Sequence, residues 1–420
     1  MKTGTVNVFS LSSLVRGLIP QNVIIDEVCS EFNASVRDEI DSLVALQKAG
    51  LNVVPEVTFS QLCSHGFTAH LANLVRRRGC VVVRGTVAES DANRWNRELD
   101  EYLNTNHYYF QLRKAIDAGD ADRASHPHML DIYWSKSQLE IRQSSRLRIV
   151  QQHLNRLWRV KKTGVGEFNT DLSYSYADRV RIREPGDRLN GLKPHVDNSS
   201  MEAWFSSETI ARMYGSLLNG QWQYFDAFNA VGRVCTDRKP HPESCGVFRS
   251  YQGWMALTPQ GPGCGTLQLV PSSRCVAWLF LNMLQSSLNN DDQVFPKPNE
   301  AYLLCAEKHH MVLRGLCSIP HLRAGDTVWW HPDTVHAVEQ NNNAKKPSSV
   351  AYLGIAPDCE RNKQYMRSQL VKFKQGLSPP DFPACDIEKQ YQNRATEAHL
   401  SDLGAQQMGH SRLAETLAKR

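Results

Sequence analysis

Three H-x-[DE] pairs stand in the sequence: His195/Asp197, His241/Glu243 and His331/Asp333. An imidazole and a carboxylate two residues apart can hold one divalent ion, because alternate residues of a strand point to the same side. The pattern alone carries little weight. Fifteen histidines and 43 acids among 420 residues give about 1.5 such pairs by chance. Surroundings separate the three. Pro242 and Pro332 lie inside the second and third pairs, and proline fits poorly in a strand ladder. The first pair follows a β-prone run, Tyr174 to Arg183, closed by Pro185-Gly186-Asp187, so His195 and Asp197 are the best-placed ligands. His336 supplies the third. The run from Ala324 to Val338 reads as turn, strand, turn, strand, with His336 opening the last strand. Two imidazoles and one carboxylate, with three positions left open, suit non-haem Fe(II). A 2-oxo acid such as 2-oxoglutarate can chelate through two of those positions and leave one for O2.

The distal carboxylate of 2-oxoglutarate calls for a cation, ideally an arginine that donates in bidentate fashion. Arg249 is the first candidate, on a strand and sharing a face with Tyr251; Arg181 is the second, with Arg183 beside it. Lys345 and Lys346 fall in Asn341-Asn342-Asn343-Ala344-Lys345-Lys346-Pro347, which reads as an exposed turn. Trp254, Trp329 and Trp330 read as barrel core before they read as pocket lining. His309 and His310 are adjacent, so on a strand they diverge, and surface placement is expected. Asn198-Ser199-Ser200 reads equally as a turn and as a set of groups near substrate.

These residues need a scaffold. Apolar positions Val28, Phe32, Val36, Ile40 and Leu43 predict an amphipathic helix over 24–49, and a second helix is expected over 59–78, stopped by Gly79. Cys80-Val81-Val82-Val83 predicts a buried strand. Helical patterns follow near 90–105 and 136–158. From about 172 the character changes to short strands, at 174–183, 246–257, 265–270, 301–306, 326–330, 335–339 and 348–355, with a mostly helical insert at about 200–230. Glycine and proline punctuate nearly every gap, which predicts a mainly β barrel or jelly roll, with helices packed around it. A single domain over 1–420 is expected: a helical part at 1–165, a jelly-roll core at 172–357, and a C-terminal wrap at 358–420, whose tail starts with Ser378-Pro379-Pro380-Asp381-Phe382-Pro383.

Composition excludes several classes. Net charge is +5 and the clearest basic cluster, Arg76-Arg77-Arg78, closes a helix, where cations are favoured; no basic stripe with interleaved aromatics predicts nucleic-acid binding. Eleven cysteines run from Cys29 to Cys385 without a C-x-x-C pair, which predicts reduced thiols rather than a zinc ribbon. No apolar run reaches the ~18 residues of a membrane span, and neither a secretory leader nor an S-K-L ending is found, so the cytoplasm is the default. The substrate side is expected to take a small molecule and O2; oligomeric state is left open.

The chain also resembles, over nearly its whole length, the YbiU-like domain-of-unknown-function family, which is related to the phytanoyl-CoA hydroxylase-like dioxygenases. The resemblance rests on Arg77-Arg78-Gly79-Cys80-Val81-Val82, Asp131-Ile132-Tyr133-Trp134-Ser135, Asn155-Arg156-Leu157-Trp158, Asp178-Arg179-Val180-Arg181, Phe248-Arg249-Ser250-Tyr251-Gln252-Gly253-Trp254, the stretch Ala324–His331, and Ser378–Pro383. It implies a double-stranded β-helix (cupin-type jelly roll) with Fe(II) and 2-oxoglutarate, and it supplies no substrate. The expected activity is oxidation of a small metabolite, such as an amino acid or natural-product intermediate, by hydroxylation, desaturation or ring closure. A Jumonji-type protein hydroxylase or demethylase, and a non-catalytic cupin-like binding protein, are the competing readings.

Overall fold

The computed structural model describes residues 11–160, 167–188, 192–233, 246–289, 300–382 and 384–410. The described chain is mixed α/β, with two sheets among helices. Its strands are β1 (Glu56–Thr58), β2 (Cys80–Arg84), β3 (Met129–Leu130), β4 (Asn169–Ser175), β5 (Val180–Arg183), β6 (His195–Val196), β7 (Tyr251–Ala256), β8 (Leu267–Leu269), β9 (Tyr302–Leu303), β10 (Cys317–Ser318), β11 (Thr327–Trp330), β12 (His336–Val338) and β13 (Ser348–Asp358). The larger sheet runs β1-β2-β11-β7-β13-β5-β3, with β4 also on β13; the smaller runs β10-β8-β12-β6-β9. All pairings are antiparallel except β1 with β2.

Strand alternation sorts the larger sheet into two faces. Val81, Val83, Met255, Trp329, Ala351 and Leu353 join the core shared with the flanking helices. Their neighbours Cys80, Val82, Trp254, Val328, Trp330 and Val350 cluster with Leu267 and Leu269 of the smaller sheet. The second cluster is the layer between the sheets. Arg181 and Gln252 occupy alternate positions that place them in that layer, since Val180 and Tyr251 beside them face the helices.

The helices follow their sequence patterns with instructive breaks. Ile25–Lys48 buries Val28, Phe32, Val36, Ile40 and Leu43, the positions that its period marks. The stretch expected as one helix over 59–78 is two, Phe59–His65 and Ala69–Arg78. Gly66 at φ 63° breaks the first, and the Thr68 side chain caps the second by accepting from Leu71 N–H. Likewise 136–158 divides into Lys136–Arg142 and Ser145–Asn155. Cys275–Leu288 has no amphipathic period because it is buried on nearly every side; Trp278 Nε1 and Arg274 Nη1 donate from it to Asn33 and Ser35 of the first long helix. The strand expected at 301–306 is only Tyr302–Leu303 and passes into a helix, Ala306–Leu313.

The C-terminal wrap is more than a surface strap. Glu388, buried within it, accepts from Tyr133 N–H, Trp134 N–H and the Tyr102 hydroxyl. Burial raises its carboxyl to about 7 against those donors. Among the described residues no helix is long and apolar enough to cross a membrane.

Gly79 links the N-terminal helices to the site region. It ends Ala69–Arg78 in a left-handed conformation, φ 66°. Its carbonyl accepts from His331 N–H at 2.7 Å and from the Thr334 hydroxyl at 3.0 Å. A Cβ there would lie 2.7 Å from Thr334 Oγ1. Gly79→Ala therefore combines left-handed strain with a clash, and is expected to destabilise the fold by about 1–3 kcal/mol, read as a lower urea midpoint with an unchanged slope.

Candidate metal centre

Sheet pairing brings the first two candidate ligands together. β6 and β12 pair antiparallel with His336 opposite His195, and their rings lie 4.2 Å apart between centroids. Asp197 stands one step beyond β6 but remains extended, φ −68° and ψ 155°, as the N-cap of a short helix, Asn198–Met201. Alternation thus persists past the ladder: Val196 turns into the apolar core, and Asp197 turns to the side of His195. Asp197 Oδ1 is 3.4 Å from His195 Nε2 and 3.9 Å from His336 Nε2. One ligand atom of each of the three residues lies within 4.8 Å of the others. Among the described residues no other group of three His, Cys, Asp or Glu meets that distance.

Both imidazoles are oriented by backbone. His195 Nδ1 lies 2.7 Å from the Lys193 carbonyl, and His336 Nδ1 lies 3.0 Å from the Thr334 carbonyl. A carbonyl only accepts, so each Nδ1 carries a proton, and in the neutral ring each Nε2 presents a lone pair to the shared point. This is the tautomer that a metal requires. Burial alone would raise the Asp197 carboxyl, but His336, His195 and Arg249 outweigh it and hold the group well below the usual carboxylate range. Burial, with His195 beside it, pushes His336 down to about 4. For His195, burial is outweighed by Asp197 and the Lys193 carbonyl, and its pKa is raised.

The candidate anion partners fall in different places. Arg249 lies two residues ahead of β7 rather than on a strand, because the ladder begins at Tyr251. Its Nη2 is 4.0 Å from Asp197 Oδ2, and its guanidinium sits 5.6 Å from the Tyr176 ring. Arg181 is on β5 and 1% exposed, and Nε, Nη1 and Nη2 complete no well-formed hydrogen bond, with the Tyr352 hydroxyl standing alongside. Burial lowers its pKa, partly offset by the Tyr352 phenol alongside. Three more buried donors on the inter-sheet side of the larger sheet are without acceptors, Gln252 Nε2, Trp254 Nε1 and Trp330 Nε1. Trp330 faces the centre, its ring 5.5 Å from His336. Trp329 points the other way, into the helical core. Arg183 is committed to Asp187 and the Glu339 and Gln340 carbonyls, and Lys345 and Lys346 are exposed.

The remaining candidates are resolved differently. His310 is exposed as expected, but His309 is buried, its Nδ1 accepting from Cys305 N–H at 3.0 Å, because 306–313 is a helix rather than a strand. Ser199 and Ser200 line a cleft with Trp158, Glu202, Phe248, Arg249 and Arg361. His241 and Glu243 lie outside the described residues. Sequence reasoning missed the Lys193 and Thr334 carbonyls, for which no side-chain signal exists, and Gln252, which alternation along 251–256 would have placed beside Trp254.

Two buried histidines and one half-buried carboxylate, placed where two sheets meet, define a candidate mononuclear metal centre. The chain belongs to the Gig2-like family, whose model matches residues 11–410. It is 30% identical over 393 residues to the uncharacterised protein YbiU of Escherichia coli strain K12, covering 92% of each chain. A crystal structure described as a putative oxidoreductase from Salmonella typhimurium LT2 is similar over 95% of both chains, with TM-score 0.83 and 30% identity. The GlcNAc-inducible Gig2 protein of Candida albicans shares the fold, with TM-score 0.76 and 24% identity over 96% of this chain and 89% of that one.

The pKa pattern gives a pH test. Metal binding needs neutral imidazoles. His336, at about 4, is neutral throughout the physiological range, whereas His195, raised, must lose a proton. Co(II) affinity is therefore expected to fall about tenfold per pH unit below the His195 pKa and to level off above it. Calorimetry in two buffers should show one proton released per metal in the lower range; a flat profile from roughly pH 6 to 8 would contradict this assignment.

Proposed function

We propose that this protein is an Fe(II)- and 2-oxoglutarate-dependent oxygenase acting on a small molecule. The observation that carries the reading is the His195–Asp197–His336 cluster, with both Nε2 atoms aimed at one point. The order of the strands supports the double-stranded β-helix that this chemistry commonly uses. From β5 onward the chain alternates between the larger and smaller sheets, with β8, β9 and β10 all on the smaller, before returning through β11, β12 and β13.

The donor set fits the iron: imidazole nitrogen and carboxylate oxygen suit non-haem Fe(II), and one carboxylate leaves the site with one net positive charge. The orphaned donors fit the cosubstrate. A buried guanidinium without an acceptor costs several kcal/mol, and the distal carboxylate of 2-oxoglutarate would satisfy Arg181, with the amide of Gln252 and the indoles of Trp254 and Trp330 lining its path. Arg181 therefore suits the cosubstrate better than Arg249, which stands beside Asp197. When bound, iron and 2-oxoglutarate supply the oxidising power: O2 is consumed, the oxo acid is decarboxylated to succinate, and the substrate is oxidised. The chain's own work is to hold the three ligands, neutralise the distal carboxylate at Arg181, and keep water out with Trp254 and Trp330. Substrate would enter by the cleft beside Ser199, Arg249 and Arg361, whose aromatic and charged lining suits a small polar molecule.

Anaerobic addition of Fe(II) and then 2-oxoglutarate should give a weak visible charge-transfer band that is lost in His195→Ala and Asp197→Ala. Absence of the band in the wild type, or its survival in both variants, sinks the assignment. Arg181→Met should raise the 2-oxoglutarate Kd about 10- to 100-fold, the loss of one charge-assisted contact, while leaving Fe(II) affinity near that of the wild type.

A further inference from the structure

The other H-x-D pair among the described residues, His331 and Asp333, lies five and three residues before His336, and both side chains are fully buried. His331 stacks on Trp158, with 4.8 Å between ring centroids and 23° between planes. Its Nδ1 accepts from the Asp333 N–H at 3.1 Å, so its lone pair is spent on its own turn. The Asp333 carboxylate receives both terminal nitrogens of Arg233, Nη1 to Oδ1 at 2.5 Å and Nη2 to Oδ2. Arg233 also donates to the Ala227 carbonyl at 3.4 Å. The Ser200 hydroxyl stands alongside the same carboxylate without completing a hydrogen bond.

These contacts span the two ligand-bearing stretches. Asp197 opens directly into the Asn198–Met201 helix that contains Ser200, and the insert that follows ends its described course at Arg233. His336 is preceded by the 331–334 turn, in which Thr334 N–H donates to the His331 carbonyl at 2.9 Å. The Thr334 carbonyl in turn orients the His336 ring. One ion pair therefore ties the far end of the insert that follows Asp197 to the turn that delivers His336. Stability gives little reason for a charge pair here, since apolar residues of similar volume often do as well in a buried position. What a bidentate Arg–Asp pair adds is direction.

We propose that Asp333 and Arg233 are positioning residues of the metal centre, setting the placement of His336 relative to Asp197. The inference rests on the metal-centre reading above. Its test uses Co(II) as the probe, with affinity and visible d–d absorption measured on the full chain. The double variant Arg233→Met with Asp333→Leu removes both charges and keeps similar volume, so it is expected to fold and melt cooperatively. Its Co(II) Kd should nevertheless rise about 10- to 100-fold, the usual effect of losing an orienting partner behind a ligand, with a changed visible spectrum. A folded double variant that binds Co(II) within about twofold of wild type, with an unchanged spectrum, overturns the proposal. Should that variant fail to fold, Arg233→Lys keeps the charge but loses the fork. A weakening of about tenfold is expected there, and unchanged affinity and spectrum overturn the proposal equally. A wild type that binds no Co(II) would refute the metal-centre reading itself, before any variant is made.

Discussion

A single rung of the smaller sheet, where His336 lies opposite His195, sets the geometry on which the rest of the site depends. Antiparallel partners stand only about 4.5–5.5 Å apart, so two imidazoles on one face of a rung must converge. Backbone carbonyls fix which nitrogen each ring offers, and that is independent of side-chain packing. Asp197 then closes the cluster by continuing the alternation of β6 for one more residue. Its charge is stabilised by the two imidazoles and Arg249, so the cluster is electrostatically coherent as three side chains, and the acid is ionised and ready to ligate.

The larger sheet has a different task. Its helix-facing side is mostly apolar along the central strands, and this side binds the sheet to the rest of the molecule. Its other side mixes Trp254, Trp330, Val328 and Val350 with the polar ends of Arg181 and Gln252. A purely structural layer would have no use for buried donors that lack acceptors, because each costs free energy that folding must recover elsewhere. Arg181, Gln252, Trp254 and Trp330 set such donors between the sheets, on the side of His195 and His336, as the proposed ligand-binding interior requires.

Distant parts of the chain hold this arrangement in place. Gly79, at the end of an N-terminal helix, accepts two hydrogen bonds from the turn before His336. Glu388, in the C-terminal wrap, satisfies the N–H groups of Tyr133 and Trp134, near the strand β3 that pairs with β5 and so lies beside Arg181. The site is thus framed by contacts that span most of the sequence. Changes far from it in the chain can alter its geometry through one or two hydrogen bonds.

The sequence by itself brought out His195, Asp197 and His336 as candidate ligands, the strong strands β2, β11 and β13, and the long helix over 25–48. Each rests on a local signal: alternation, helical period, or punctuation by glycine and proline. It also supported the family to which the chain belongs. Only the tertiary structure decided that the sheets are embedded in a mixed α/β molecule, that Arg249 lies by Asp197 while Arg181 waits buried between the sheets, and that His331 and Asp333 clamp a turn. Cys275–Leu288 escaped pattern reading because a helix buried on nearly all sides has no polar face to reveal its period. The physical reason is common to all of these. Local patterns report which way a side chain points relative to its neighbours in sequence, whereas a partner hundreds of residues away, a missing acceptor or a backbone carbonyl leaves no mark on them.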